Sequence, residues 1–201
     1  MLRTLLFRPG DFFEKRRDDL NGVTGGLLLL GFAVATTTVL ALVLFVFTRL
    51  LPGEVGTSVW SGAVASLPVQ FFGLLAVTLG LSVVLYFGAK LSRGSAGFGA
   101  TVEITAWGLL PMLIAVLVGA LTFLVFASQA DISVATADQL VTAVDPIQSG
   151  LSGLVLLLVF VAGSAWEAYI WAGGLRTVHR LHRYGAIVLA VVVATLPVLL
   201  L

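Results

Sequence analysis

The 201-residue chain is 59% hydrophobic and only 10% charged, with a mean hydropathy of +1.11, whereas soluble domains carry about a quarter charged residues. This excludes a soluble globular domain and identifies a membrane protein, for which the net charge of +1 says less than the placement of the charges. The absence of cysteine excludes disulfides, thiolate metal sites and a cysteine nucleophile.

The chain opens with LLFRPGDFFEKRRDDLNG, in which bulky apolar and charged residues alternate. Nine charged residues among the first nineteen argue against a cleaved signal peptide. Phe12, Phe13, Arg16 and Leu20 recur at a helical spacing. This predicts a short interfacial helix with its rings in the acyl boundary and Lys15, Arg16 and Arg17 near anionic headgroups, as a topology anchor or as a lipid site.

Five apolar windows follow, each long enough for a hydrocarbon core of about 30 Å. They cover residues 23–48, 67–89, 101–127, 147–174 and 185–201. Pro68 is expected in the first turn of the second span, and Asp145-Pro146 as a cap and first-turn pair for the fourth. The predicted fold is all-α: a cytoplasmic amphipathic segment, 1–22, followed by a polytopic bundle of five transmembrane helices, 23–201.

Arg3, Arg8, Lys15, Arg16 and Arg17 precede the first span, Lys90 and Arg93 separate the second from the third, and Arg176, Arg180 and Arg183 separate the fourth from the fifth. Ten of the eleven Lys and Arg thus fall on one side, with Arg49 the exception. The positive-inside rule makes that side cytoplasmic, so a multi-pass protein of the cell membrane is expected, with its N-terminus inside and its C-terminus outside.

Two carboxylates interrupt the spans. Glu167 lies nine residues before Arg176, which at about 1.5 Å per residue places it roughly 13 Å deep. Gly163, Glu167, Ile170 and Gly174 share a narrow helix face where a second helix can approach closely. Glu103 stands about a turn into the third span, ahead of Trp107 and Pro111. Each is either a polar contact that fastens helices, with a backbone carbonyl, Ser164 or Thr105 as partner, or a group on a proton or ion path.

His179 and His182 are three residues apart, but Arg176, Arg180 and Arg183 surround them, which disfavours a metal. A polar cytoplasmic turn facing lipid or a partner is expected instead. The glycines of RGSAGFGAT follow no strand, and no nucleophile-elbow, zincin or phosphate-loop pattern is present. No catalytic residue, cofactor, metal or nucleic-acid partner is expected, while Gly73 and Gly80 offer a face for packing within one chain or between two copies.

Three stretches together resemble the Yip-domain family of five-span membrane proteins, in its prokaryotic form. RPGDFFEKR, with Pro9, Phe12 and Phe13, is similar to the family's lead-in. ITAWGLLPMLI, with Pro111, resembles its third span. AWEAYIWAGGLRTVHRLHRYGAI, with Trp166 and then Gly174, Leu175, Arg176 and His179 as a turn, resembles the junction of spans four and five. Asp19, Leu20 and Gly22 match part of the Asp-Leu-Tyr-Gly-Pro signature of eukaryotic members, departing from it at Asn21 and Val23. The resemblance implies a five-span topology and, for eukaryotic members, a link to vesicle trafficking through small GTPases. The resulting expectation is a non-enzymatic scaffold whose basic inner face binds membrane lipids or a cytoplasmic protein. The alternative is a small proton- or ion-coupled transporter or channel using Glu103 and Glu167.

Overall fold

The structure is a computed structural model that describes residues 2–130, 139–140, 142, 144–145 and 150–199. Its principal helices are α1 (Leu2–Phe7), α2 (Pro9–Lys15), α3 (Gly22–Thr48), α4 (Gly53–Leu91), α5 (Phe98–Gly108), α6 (Leu110–Gln129), α7 (Leu151–Val178) and α8 (Arg183–Leu199). Among the described residues, four stretches are long and apolar enough to cross a membrane: Gly22–Thr48, Gly53–Leu91, Phe98–Gln129 and Leu151–Val178. Arg183–Leu196 is a shorter apolar helix. The chain is therefore an all-α, multi-pass membrane protein.

Helix boundaries follow local chemistry. The first predicted span coincides with α3 to within a residue. Asn21 caps it, its Oδ1 accepting the backbone N–H of Thr24 at 2.9 Å, while its own carbonyl accepts the N–H of Gly25 at 3.2 Å.

Pro68 does not open a helix. It lies inside α4, which starts at Gly53. One missing N–H is tolerated there because local adjustment within a long apolar helix can satisfy the freed carbonyl.

The third span, expected as one helix, breaks at Leu109 between α5 and α6. Pro111 causes this, since it has no N–H for the carbonyl of Trp107 and its ring crowds that turn. Leu109 closes α5 with bonds from its N–H to Thr105 at 3.2 Å and Ala106 at 3.3 Å.

Gly174, Leu175 and Arg176, expected in a turn, are helical, and the turn falls at residues 179–182. The expected Asp145-Pro146 cap includes a position outside the described residues, which resume at Gly150.

The chain divides into two compact units. Unit 1 comprises Met1–Ala33, Leu74–Met112 and Gly163–Leu201, and unit 2 comprises Val34–Gly73 and Leu113–Ala162. Unit 2 is centred on Phe47, Leu51, Val55 and Ala127, with Phe123 and Leu124 against them. The rings of Phe47 and Phe123 lie 5.4 Å apart.

Unit 1 buries Phe13, Leu85, Ile104, Trp171 and Leu175, together with the polar Thr101, Glu103, Thr105, Glu167 and His179. Phe12 and Phe13 are thus covered by protein rather than set in the acyl boundary. The segment also forms two short helices, because Pro9 interrupts the run after Phe7.

Candidate functional site

The polar groups of unit 1 gather around three features. The first is Glu103 on α5. Its carboxylate is fully buried and accepts three bonds: from Arg16 Nη2 at 3.0 Å, from the backbone N–H of Asn21 at 2.9 Å and from Trp107 Nε1 at 3.2 Å. Arg16 therefore turns inward and does not reach for headgroups. Its guanidinium lies 5.7 Å from the centre of the Phe12 ring and 5.8 Å from that of Trp107, and those two rings meet edge to face at 5.2 Å.

A charge-assisted bond enclosed by aromatic rings is stronger than a solvated one, and removing one partner strands the other. Glycine makes the approach to Glu103 possible. A Cβ on Gly25 would stand 2.6 Å from the Glu103 nitrogen, and one on Gly99 would stand 2.7 Å from that of Gly22. The DLNG stretch is thus the hinge by which the N-terminal segment and α3 fasten to α5.

The second feature is His179, in the turn after α7. It is fully buried, not facing lipid as expected. Its Nε2 lies 2.8 Å from Thr101 Oγ1, and that hydroxyl donates to the Gly97 carbonyl at 3.2 Å. With the hydroxyl proton committed to Gly97, Nε2 carries the ring proton and donates. Nδ1 is then a bare acceptor, and among the described residues no partner meets it. The His179 carbonyl accepts the N–H of Ser95 at 3.2 Å, which joins this turn to the one after α4. Burial first, and then the charge of Lys90, push the imidazole pKa down to about 4.

The third feature is the α7 face. Trp171 Nε1 donates to the Thr105 carbonyl at 3.1 Å, and a Cβ on Gly108 would overlap its indole. Gly174 admits Ile104 and Phe13, each within about the distance its missing Cβ would occupy. Glu167 is buried on this helix, and among the described residues neither its Oε1 nor Ser164 Oγ has a hydrogen-bond partner. Thr105 Oγ1 donates instead to the Thr101 carbonyl at 2.9 Å, so neither expected hydroxyl serves Glu167. Trp166 Nε1 donates to the Leu6 carbonyl at 2.9 Å, and Tyr169 Oη donates to that of Phe7 at 2.9 Å. These two bonds satisfy the last carbonyls of α1 and hold it against α7.

Beside these contacts lies an open cleft of about 1030 Å³ lined by Arg8, Arg17, Arg176, Arg180 and Arg183. It brings together residues from both ends of the sequence. Four of the five were expected at a basic surface, and Arg8 was not singled out. Lys15 and His182 are exposed and do not line it, and His182 lies 5.5 Å from the Tyr184 ring. Gly173 shapes the wall, since a Cβ there would stand 2.8 Å from the Pro9 ring. Asn21, Thr101, Tyr169 and Trp171 also escaped the sequence reading. Of these, only Asn21 carried a usable signal, an N-cap residue directly before a long apolar run.

A family model described as the Yip1 domain matches residues 3–201. The chain belongs to the Yip1 domain family. Comparison with curated proteins found no match, and comparison with solved structures found none.

Proposed function

We propose that this Yip-family protein is a non-enzymatic membrane organiser of the cell membrane. In this reading it crosses the membrane five times, α8 being the last span, with its N-terminus cytoplasmic and its C-terminus external. The basic end of unit 1 then faces the cytoplasm, where it engages lipid headgroups or a cytoplasmic protein, as a single chain or as a homo-oligomer. The basic cytoplasmic surface concentrates anionic partners electrostatically, each Lys or Arg contributing about 1 kcal/mol near an anionic leaflet.

The observation that carries this reading is the engagement of Glu103. Its carboxylate is occupied by Arg16, Asn21 and Trp107, so it acts as a fastening between segments rather than as a free ion ligand. A second reading, a proton- or ion-coupled transporter, draws on the buried and unpartnered Oε1 of Glu167.

Proton flux into proteoliposomes separates the two. The organiser predicts flux equal to that of protein-free vesicles, and a flux abolished by Glu167→Gln would replace it with the transporter. A reporter active only in the cytoplasm, fused after Leu201, is expected to be silent, and strong signal would reverse the assigned topology.

A further inference from the structure

The arginine cleft combines two properties that seldom occur together. Among the described residues, none of Arg8, Arg17, Arg176, Arg180 and Arg183 has a carboxylate partner, although Asp11 and Glu14 line the same cleft. Five guanidiniums against two carboxylates leave three positive charges in excess. The same cleft is walled by exposed apolar side chains, Phe7 at 63%, Tyr169 at 49% and Ile187 at 40% exposure.

The arrangement along the helices is ordered. Ile187 stands one turn into α8 from Arg183, about 6 Å along its axis, and Tyr169 stands two turns back along α7 from Arg176, about 10 Å. On α7 and α8 the apolar residue thus lies further along the helix from the basic turn than the arginine does, while Phe7 stands beside Arg8. A soluble phosphate compound or an acidic peptide has no use for the apolar wall, whereas a phospholipid needs both the wall and the cations.

Arg180 lies in the helix-ending turn of α7, as Arg93 does in that of α4. It adopts a left-handed backbone with φ of 57° at the end of α7, where glycine or asparagine is the usual residue. That conformation costs roughly 1–2 kcal/mol for a residue with a Cβ, and it places a guanidinium rather than a glycine at the cleft.

We infer that this cleft is a binding site for an anionic phospholipid bearing two phosphates. The phosphates sit among Arg176, Arg180, Arg183, Arg8 and Arg17, and an acyl chain runs along Tyr169, Ile187 and Phe7. Guanidiniums bind phosphate oxygens through paired N–H donors, and a basic pocket between membrane helices is suited to headgroups of this kind. A single phosphodiester would leave two of the three excess charges unmatched. The inference rests on the reading that this end of unit 1 lies at the headgroup level.

The test is lipid binding by the purified full chain in neutral detergent, followed by native mass spectrometry and by tryptophan fluorescence. Cardiolipin is expected to bind at least about tenfold more tightly than phosphatidylglycerol at equal phosphate, with about 10 mM inorganic phosphate failing to displace it. Arg176→Gln and Arg180→Gln should each weaken binding about tenfold, while Arg3→Gln, outside the cleft, leaves it unchanged. Glu14→Gln removes an opposing charge and should tighten binding several-fold, a gain that no folding defect can mimic.

Equal affinity for the two lipids, equal loss in Arg3→Gln, displacement by phosphate alone, or preference for a polyglutamate peptide would each overturn the site. Failure here with silent proteoliposomes would leave the organiser standing without this ligand. Flux together with selective lipid binding would remove the organiser and keep the site.

Discussion

Gly25 and Gly62 both belong to long apolar helices, yet a Cβ on Gly25 would stand 2.6 Å from the backbone of Glu103, whereas one on Gly62 would meet nothing within 4 Å. The units that hold them differ in their polar bonds rather than in every glycine, since Gly56 of unit 2 is also tight against Thr48. Unit 2 is packed around Phe47, Leu51, Val55 and Ala127, and its hydroxyls largely satisfy themselves one turn back, as Thr38 does on Val34 at 2.8 Å. Unit 1 is joined by polar bonds across long sequence separations, from Arg16 and Asn21 to Glu103 and from His179 to Thr101. Apolar packing has little preference for one helix face over another when the solvent is itself apolar, while glycine contacts and buried polar bonds specify a single arrangement. The segments that carry the cleft are accordingly in the unit with the specific bonds.

Substitutions in matched pairs test that contrast. The largest effect is expected from Gly25→Leu, whose side chain would have to displace the backbone of α5. At least about 3 kcal/mol of stability should be lost, read as disappearance of the monodisperse species in detergent. Gly62→Leu, at an exposed position in unit 2, should stay within about 0.5 kcal/mol of the parent. If both tolerate leucine equally, the close approach in unit 1 is not what holds it.

Next comes Glu103→Ala, which strands Arg16 and the N–H of Asn21. Because the Arg16 side chain is 23% exposed, about 3 kcal/mol is expected, at the low end for a broken buried pair. Glu54→Ala, an exposed acid in the first turn of α4, should cost less than about 0.5 kcal/mol by the same thermal unfolding assay. In a double-mutant cycle, Arg16→Ala should add little to Glu103→Ala, and full additivity would deny the pair.

A pH scan singles out the His179 contact. Burial holds that ring well below the usual 6.5, at about 4, so the folded chain binds fewer protons than the unfolded one between those values. Its contribution to stability is complete above pH 6.5 and is lost as the pH falls toward 4. Gln in place of His179 keeps a donor for Thr101 and removes the titration, so this variant should flatten the profile over that window. An unchanged slope would mean that another group titrates.

The smallest effect is expected at Arg93, which has φ of 64° where α4 ends. The N–H of Gly94 returns to the Ala89 carbonyl at 2.7 Å and that of Arg93 to the Lys90 carbonyl at 3.0 Å, the bond pair of a helix-ending turn that favours glycine at the left-handed position. Arg93→Gly should therefore gain about 1 kcal/mol in thermal unfolding, and a loss would show that the guanidinium compensates for the strained backbone.

The multi-pass, apolar helical character of the chain and the clustering of its basic residues were legible in the sequence because hydropathy and charge are local quantities. Residues 23–48 form a helix wherever they are placed in an apolar medium, since every backbone group must then be bonded within the segment. The Yip resemblance rested on the same local grain, in RPGDFFEKR, ITAWGLLPMLI and the junction around Arg176. Its prediction of a turn at Gly174 was displaced by one helical turn, because glycine does not end a helix when a neighbour such as Ile104 needs the space its side chain leaves.

Helix pairing is another matter. These helices are apolar on nearly every side, so apart from the buried Gly163, Glu167, Ile170 and Gly174 face of α7 no periodicity marks which face is covered. The partners that decide it, Arg16 with Glu103 and Thr101 with His179, are 87 and 78 residues apart. The sequence alone thus determined that the chain is an all-α membrane protein whose cations cluster at the ends of its apolar segments. Only the tertiary structure decided that Arg16 and His179 face inward while Arg8 joins Arg176 and Arg180 around one cleft, because the energies that sort them depend on close approach between segments that sequence order does not bring together.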